Sequence, residues 1–166
     1  MVSKKSQSQV VGSVLLILIV VALIVIVSGF AVSFIKNKLS DSSCVDVIGK
    51  VEIANNVKYT CYTKLSDTSG FMSVQVHVGD IEEEIQGFTI SVVSDSSKNF
   101  EIRDGKGTEG VIMYNGVSVL EIPEQNSERT YNITVEKKPD SLAIYPILND
   151  GKTCDSSDTL KIIVDC

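Results

Sequence analysis

The stretch Val10–Ile35 constrains this chain more than any other part of it. Between Lys5 and Lys36 there is no ionisable residue, and every residue in Val14–Val27 is aliphatic. A helix over the whole stretch, at ~1.5 Å per residue, would reach ~39 Å, more than the ~30 Å hydrocarbon layer of a bilayer. Because it has no polar stripe, it would need apolar neighbours on every side. The sequence therefore predicts a long hydrophobic N-terminal helix, in a membrane or in a bundle of identical helices.

The residues before this stretch are short and basic. An ordinary secretory signal has an apolar core of ~7–15 residues and then a small-residue cleavage site. Here the core is about twice that length, and the chain reads KKSQSQVVGSVLLI from Lys4. This pattern resembles the class III signal peptides of archaeal type IV pilins and archaellins, which a prepilin peptidase cuts on the cytoplasmic side of the apolar helix. The resemblance implies cleavage between Ser6 and Gln7, and the QSQ spacing also admits a cut after Ser8.

This resemblance implies three parts of the chain and one function. Residues 1–6 would be the signal peptide, residues 7–38 the hydrophobic helix that serves as membrane anchor and filament core, and residues 39–166 an extracellular domain. The protein would be a structural subunit of an archaeal type IV pilus-like filament for adhesion or motility. Its partners would be further copies of itself in a helical homopolymer, the prepilin peptidase, and the membrane before assembly. The alternative is a single-pass anchored module whose extracellular β-sandwich binds a ligand.

Four cysteines, all after the apolar stretch, predict an extracellular domain and a cytoplasmic N-terminus. They are an even number, and no CxxC pair or Cys/His cluster favours a metal instead. The cost of closing a loop favours the near pairs, Cys44 with Cys61 and Cys154 with Cys166, because short loops close more easily. Pairings that join the two ends of the domain, such as Cys44 with Cys166, stay open.

Charge separates the two parts of the chain and excludes some ligands. The chain has 15 Lys and Arg against 21 Asp and Glu, and residues 1–38 hold four of the basic residues and none of the acidic ones. Residues 39–166 therefore carry a net charge of −10. Such a surface repels nucleic acid and anionic lipid, so no nucleic acid is expected as a partner.

Strict alternation after Tyr59 predicts strands. In SVQVHVG, Val74, Val76 and Val78 share one face, which is typical of a half-buried strand. Asn115-Gly116 is a two-residue hairpin signal. The chain thus predicts a mostly antiparallel, immunoglobulin-like β-sandwich after the long helix, α+β overall. The mixed spacing of apolar residues in Cys44–Val57 fits a short helix as well as a strand, and a helix before Asn55-Asn56 is the expectation. Six further segments read as strands: Phe88–Val93, Val111–Tyr114, Val117–Ile122, Tyr131–Val135, Leu142–Leu148 and Leu160–Val164.

The sequence predicts no enzyme, no cofactor and no metal site. His77 is the only histidine, so a general base with a histidine partner or a His-based metal site cannot be assembled. The acidic run Asp80–Glu84 lacks the spaced oxygen ligands and the fixed glycine of a calcium loop. Asp95, Asp104 and Gly105 could contribute to a calcium site that folding builds. Asn132 begins the one N-x-S/T sequon, Asn132-Ile133-Thr134, and is the candidate N-glycosylation site.

Overall fold

The computed structural model describes residues 14–27 and 43–166. The chain divides into two compact units, Met1–Ser42 and Ser43–Cys166. In the first unit, residues 14–27 form an α-helix, the apolar helix below. In the second unit, called the β-domain below, a helical turn at residues 43–47 precedes nine strands. Among the described residues, no helix is long and apolar enough to cross a membrane.

The predicted fold class is therefore wrong as a description of this chain. A long hydrophobic helix and an α+β architecture were expected, whereas the described residues are mostly antiparallel β-sheet, with one helix of fourteen residues at 14–27. The physical reason for the error is that an unbroken apolar run indicates the polarity of a segment but does not by itself set the length of a helix or the class of the whole fold. The β-rich character of the chain is confirmed.

The nine strands form two antiparallel sheets. In the first sheet, β1 and β2 pair with the same side of β3, and β7 and β6 follow on its other side. The second sheet has the order β5-β4-β8-β9. The strands are β1 Val51–Ile53, β2 Cys61–Lys64, β3 Gly70–Val78, β4 Ile85–Val93, β5 Ser97–Arg103, β6 Val111–Met113, β7 Ser127–Val135, β8 Ser141–Leu148 and β9 Asp158–Leu160.

One hydrophobic core lies between the two sheets. The alternation that predicted β3 is confirmed, because Val74, Val76 and Val78 are all buried. The sheets meet where Phe88 of β4 contacts Tyr131 of β7 edge to face, with 5.7 Å between ring centroids. Both rings are fully buried, so the sheets stabilise each other by removing large aromatic surfaces from water.

Three predicted segments differ from the structure, and one strand was not predicted. Leu160–Val164 is not the expected strand, because β9 comprises Asp158–Leu160 and the chain then turns to β2, where Val164 accepts from the Tyr62 N–H. The segment predicted as a short helix is helical only at residues 43–47 and then continues as β1. Val117–Ile122 is not a strand, although a tight turn at Asn115-Gly116 returns the chain so that Val117 accepts from the Met113 N–H at 2.8 Å. β5 was not foreseen, since only Phe100 and Ile102 of its residues point toward apolar neighbours.

All four cysteines are in disulfides, as predicted, but the expected near pairing is wrong. Cys44 pairs with Cys154 and Cys61 with Cys166, with Cα–Cα distances of 5.5 and 5.0 Å. The fold brings the beginning and the end of the β-domain together, because the N–H of Tyr62 on β2 donates to Val164 and the N–H of Cys166 donates back to Tyr62. Sequence distance gave the wrong answer because strand pairing, not loop length, sets which cysteines meet.

Candidate functional site

The apolar helix has an exposed apolar surface on every side. Its thirteen large side chains, from Val14 to Val27, are each between 45% and 66% exposed. Soluble proteins rarely expose a continuous apolar surface of this kind, and where they do it marks an interaction site. A helix that is apolar all round is stable when apolar groups cover all of it. The apolar helix is therefore a candidate interaction surface.

A charged cleft of about 750 Å³ lies between β4, β5, β7 and the loops beside them. Its walls carry equal numbers of positive and negative side chains. Arg129 forms an ion pair with Glu121 at 3.1 Å, and Arg103 donates to Gln86. The Oδ1 of Asp104 accepts from the N–H of Ile122 at 3.3 Å. The charged residues of the cleft are Arg103, Asp104, Lys106, Glu121, Glu124 and Arg129.

Tyr131 forms part of the framework beneath this cleft. Its hydroxyl donates to the carbonyl oxygen of Glu121 at 2.6 Å and so fixes the loop that carries Glu121, the ion-pair partner of Arg129. Burial raises the pKa of the Tyr131 hydroxyl well above its ordinary value, because the phenolate would lose its hydration. The group therefore stays protonated and acts as a hydrogen-bond donor, not as an acid or base. The charged cleft is held together by its own pairs.

A second hollow, of about 480 Å³, lies on the outer face of the second sheet, and we call it the outer groove. Unlike the charged cleft, it is lined by uncharged polar side chains alone: Thr89, Ser91, Ser97, Asn99, Tyr145 and Thr153. Sequence reasoning missed it because these residues come from three strands and a loop. The only signal present was the short polar side chains alternating with apolar ones in β4 and β5.

The predicted calcium ligands do not meet. Asp95 lies before β5 and Asp104 directly after it, so the whole of that strand separates them. Seven strand residues at ~3.3 Å each put them more than ~20 Å apart, beyond any shared coordination sphere. Asp95 instead pairs with Lys137. In the described parts of the chain, no group of three His, Cys, Asp or Glu side chains could hold a metal ion.

The remaining predicted site residues fall in three places. Ser6 and Gln7 lie outside the described residues, so the cleavage site stays a prediction. Asn132 is on β7, half-buried, and its Oδ1 accepts from the Ser73 hydroxyl at 2.8 Å. Glycosylation there also stays a prediction. His77 has its Nδ1 3.7 Å from a carboxylate oxygen of Glu128, on the outer face of the first sheet.

Comparison with known proteins assigns no family to this chain. No protein-family model matches the chain, and no curated protein sequence matches it. Among solved structures it is similar to Astrotactin-2, described as a conserved vertebrate-specific and perforin-like membrane protein involved in neuronal development. The two are 16% identical with a TM-score of 0.33, and the match covers 63% of this chain and 20% of that one. We therefore infer function from the residues themselves.

Proposed function

We propose that this chain is a structural subunit of an extracellular filament of the archaeal type IV pilus kind. The observation that carries the proposal is the apolar helix, whose large side chains are all at least 45% exposed and none of which is charged. Identical helices packed around it would cover every side at once. In this arrangement the helices form the filament core and the acidic β-domains form its outer coat.

The geometry of assembly follows from the absence of a preferred helix face. Because no polar stripe breaks the helix, each copy can contact neighbours through different sides, so the interface is heterologous and does not close. Such contacts propagate into a helical filament. The β-domain suits an outer coat, because its two disulfides and the net charge of −10 on residues 39–166 would keep it folded and soluble outside the cell.

The processing step is part of the same proposal. A prepilin peptidase would remove residues 1–6 and leave the apolar helix on the mature protein, so that the signal becomes the assembly element. Mass spectrometry of protein from native filaments should find Gln7 at the N-terminus. A chain that begins at Met1, or one that begins after Ile35, would remove the support that the resemblance lends.

The test of assembly is a charge placed in the helix. Val20→Glu would bury an unpaired carboxylate in the proposed core, at a cost of several kcal/mol for each subunit. We expect electron microscopy of sheared surface fractions to show thin filaments for the unaltered chain and none for Val20→Glu. Val21→Lys should behave in the same way, because the sign of the charge is irrelevant to its burial.

A matched control adds the same charge to an exposed apolar residue of the β-domain. Ile162 is 79% exposed, so Ile162→Glu should leave the filaments intact. Non-reducing electrophoresis confirms that each variant still has both disulfides. If the unaltered chain is found only as dispersed monomers in the membrane while the prepilin peptidase is active, the singly anchored binding module is the better account.

A further inference from the structure

We propose that the outer groove binds a pyranose ring of an uncharged oligosaccharide. The groove lies on the β5-β4-β8 face that points away from the core. Its lining and its shape carry the proposal, independently of whether the chain forms filaments. It belongs to the β-domain alone, and every residue in it comes from the described part of the chain.

Strand register places these side chains together. Ser91 of β4 lies opposite Asn99 of β5 on one side and Ala143 of β8 on the other. Thr89, two residues earlier on the same face, lies opposite Tyr145. Ser91 and Ala143 have small side chains, so the sheet surface is recessed where they lie. Tyr145 lines the groove next to this recess. The result is a shallow hollow with one aromatic wall.

The polar groups of the groove are available to a ligand. The hydroxyls of Ser91 and Ser97 contact each other at 3.0 Å. In contrast, the side chains of Thr89, Asn99, Tyr145 and Thr153 have no hydrogen-bond partner among the residues that the structure describes. Hydroxyls both donate and accept, and an amide offers two donors and an acceptor. A ligand with several hydroxyls of its own can satisfy these groups in either direction.

Charge selects the class of ligand. No residue that lines the groove is ionised, although the domain around it carries a net charge of −10. Glu101 lies opposite Thr89 on this face and forms an ion pair with Arg103, so neither of these charges is free for a ligand. An anionic ligand would therefore find no cation, and a fully apolar ligand would strip water from hydroxyls without replacing their hydrogen bonds.

An uncharged sugar meets these requirements. A pyranose has hydroxyls around its edge and C–H groups on its faces, so it can hydrogen-bond to Thr89 and Asn99 while one face packs on the Tyr145 ring. A tyrosine can pack its apolar ring against the C–H groups of a sugar while its hydroxyl bonds to water or to the ligand. Few precisely placed polar groups around an apolar surface are what orient a small ligand.

The test uses full-length protein in a detergent without a sugar headgroup, since a glycoside detergent would compete for the groove. The protein is applied to an array of immobilised neutral hexasaccharides of glucose, mannose and N-acetylglucosamine, with heparin-derived hexasaccharides as the anionic comparison. The tightest neutral ligand is then titrated in soluble form by calorimetry. We expect binding to at least one neutral hexasaccharide and none to the heparin fragments.

Variants locate the site. Tyr145→Ala should weaken the affinity roughly tenfold, because it removes the aromatic wall. Thr89→Val, which keeps the shape and removes one hydroxyl, should weaken it by a smaller factor. Tyr114→Ala is the matched control, since Tyr114 is an exposed tyrosine that directly follows β6 of the first sheet and does not line the groove. Circular dichroism and disulfide content verify the fold of each variant.

Three outcomes would overturn the proposal. The first is that no neutral hexasaccharide binds at millimolar concentration. The second is that Tyr114→Ala weakens binding as much as Tyr145→Ala does. The third is that the heparin fragments bind as tightly as the neutral ones. None of these outcomes bears on filament formation, so the two proposals can fail separately.

Discussion

At the scale of single residues, Gly87 shows how closely the strands of the second sheet approach one another. It lies in the middle of the sheet, paired with Arg103 of β5 and Ile147 of β8, where the register of β4 against β8 shifts between Ile85 and Gly87. A Cβ at this position would collide with the carbonyl oxygen of Ile102. The backbone there cannot give way without breaking the pairing of β4 with β5. Only glycine fits.

We therefore expect Gly87→Ala to lower the free energy of unfolding by about 1–3 kcal/mol, as overpacking of a well-packed interior does. Gly79→Ala is the matched control, because its Cβ would lie 3.5 Å from the Lys50 carbonyl oxygen, an ordinary van der Waals contact. Urea unfolding of the two variants, followed by circular dichroism, measures the difference. Equal stability of both variants would show that β4 and β5 separate more easily than this geometry implies.

At the scale of elements, the two disulfides are interleaved along the chain. Cys61 lies inside the loop closed by Cys44 and Cys154, and Cys166 lies outside it. Once one disulfide has formed, the second one closes a much shorter loop than it would alone. That loop runs through the segments 44–61 and 154–166, about thirty residues together, instead of about a hundred residues of chain. In the chain-entropy model either bond then contributes about 3–4 kcal/mol while the other is intact.

This arrangement predicts that the two disulfides are equivalent. Replacing Cys44 and Cys154 by alanine, or Cys61 and Cys166 by alanine, should lower the free energy of unfolding by the same amount within about 1 kcal/mol, and removing all four cysteines should cost about 8 kcal/mol. Urea unfolding of the three variants measures this. If replacing one pair leaves the free energy of unfolding unchanged, strain in the folded state rather than chain entropy decides the contribution of that disulfide. Peptide mapping under non-reducing conditions checks the pairing itself.

The elements also show how far sequence could reach. β3 was predictable because Val74, Val76 and Val78 alternate with polar residues, and its partner β7 was partly foreseen for the same reason. β5 was not predicted because most of its side chains face water. Val117–Ile122 was wrongly predicted as a strand because it has alternating apolar residues but pairs with no strand. The outer groove could not be predicted, since the opposition of Thr89 to Tyr145 depends on register between distant strands. The prediction of the disulfide pairing was wrong for the same reason, because contacts between distant segments decide which cysteines meet.

At the scale of the whole molecule, an uncharged apolar helix and an acidic domain are joined in one chain. In the proposed filament the helix would favour association between copies, whereas the charge of −10 on residues 39–166 would oppose it. The two terms respond differently to salt. Hydrophobic packing is insensitive to moderate ionic strength, while repulsion between exposed charges is screened over ~30 Å at 0.01 M salt and ~8 Å at 0.15 M.

If the chain forms filaments, the lowest concentration at which they assemble should therefore fall as salt rises from 0.01 M to 0.15 M, because screening removes the repulsion between domains. Sedimentation of purified protein at a series of concentrations measures it. A variant with Glu82→Gln and Glu83→Gln tests the cause, since both residues are exposed and make no hydrogen bond or ion pair among the described residues. It should assemble more readily at low salt and depend less on salt. Filaments that dissolve as salt rises would instead mean that opposite charges on neighbouring domains hold the coat together.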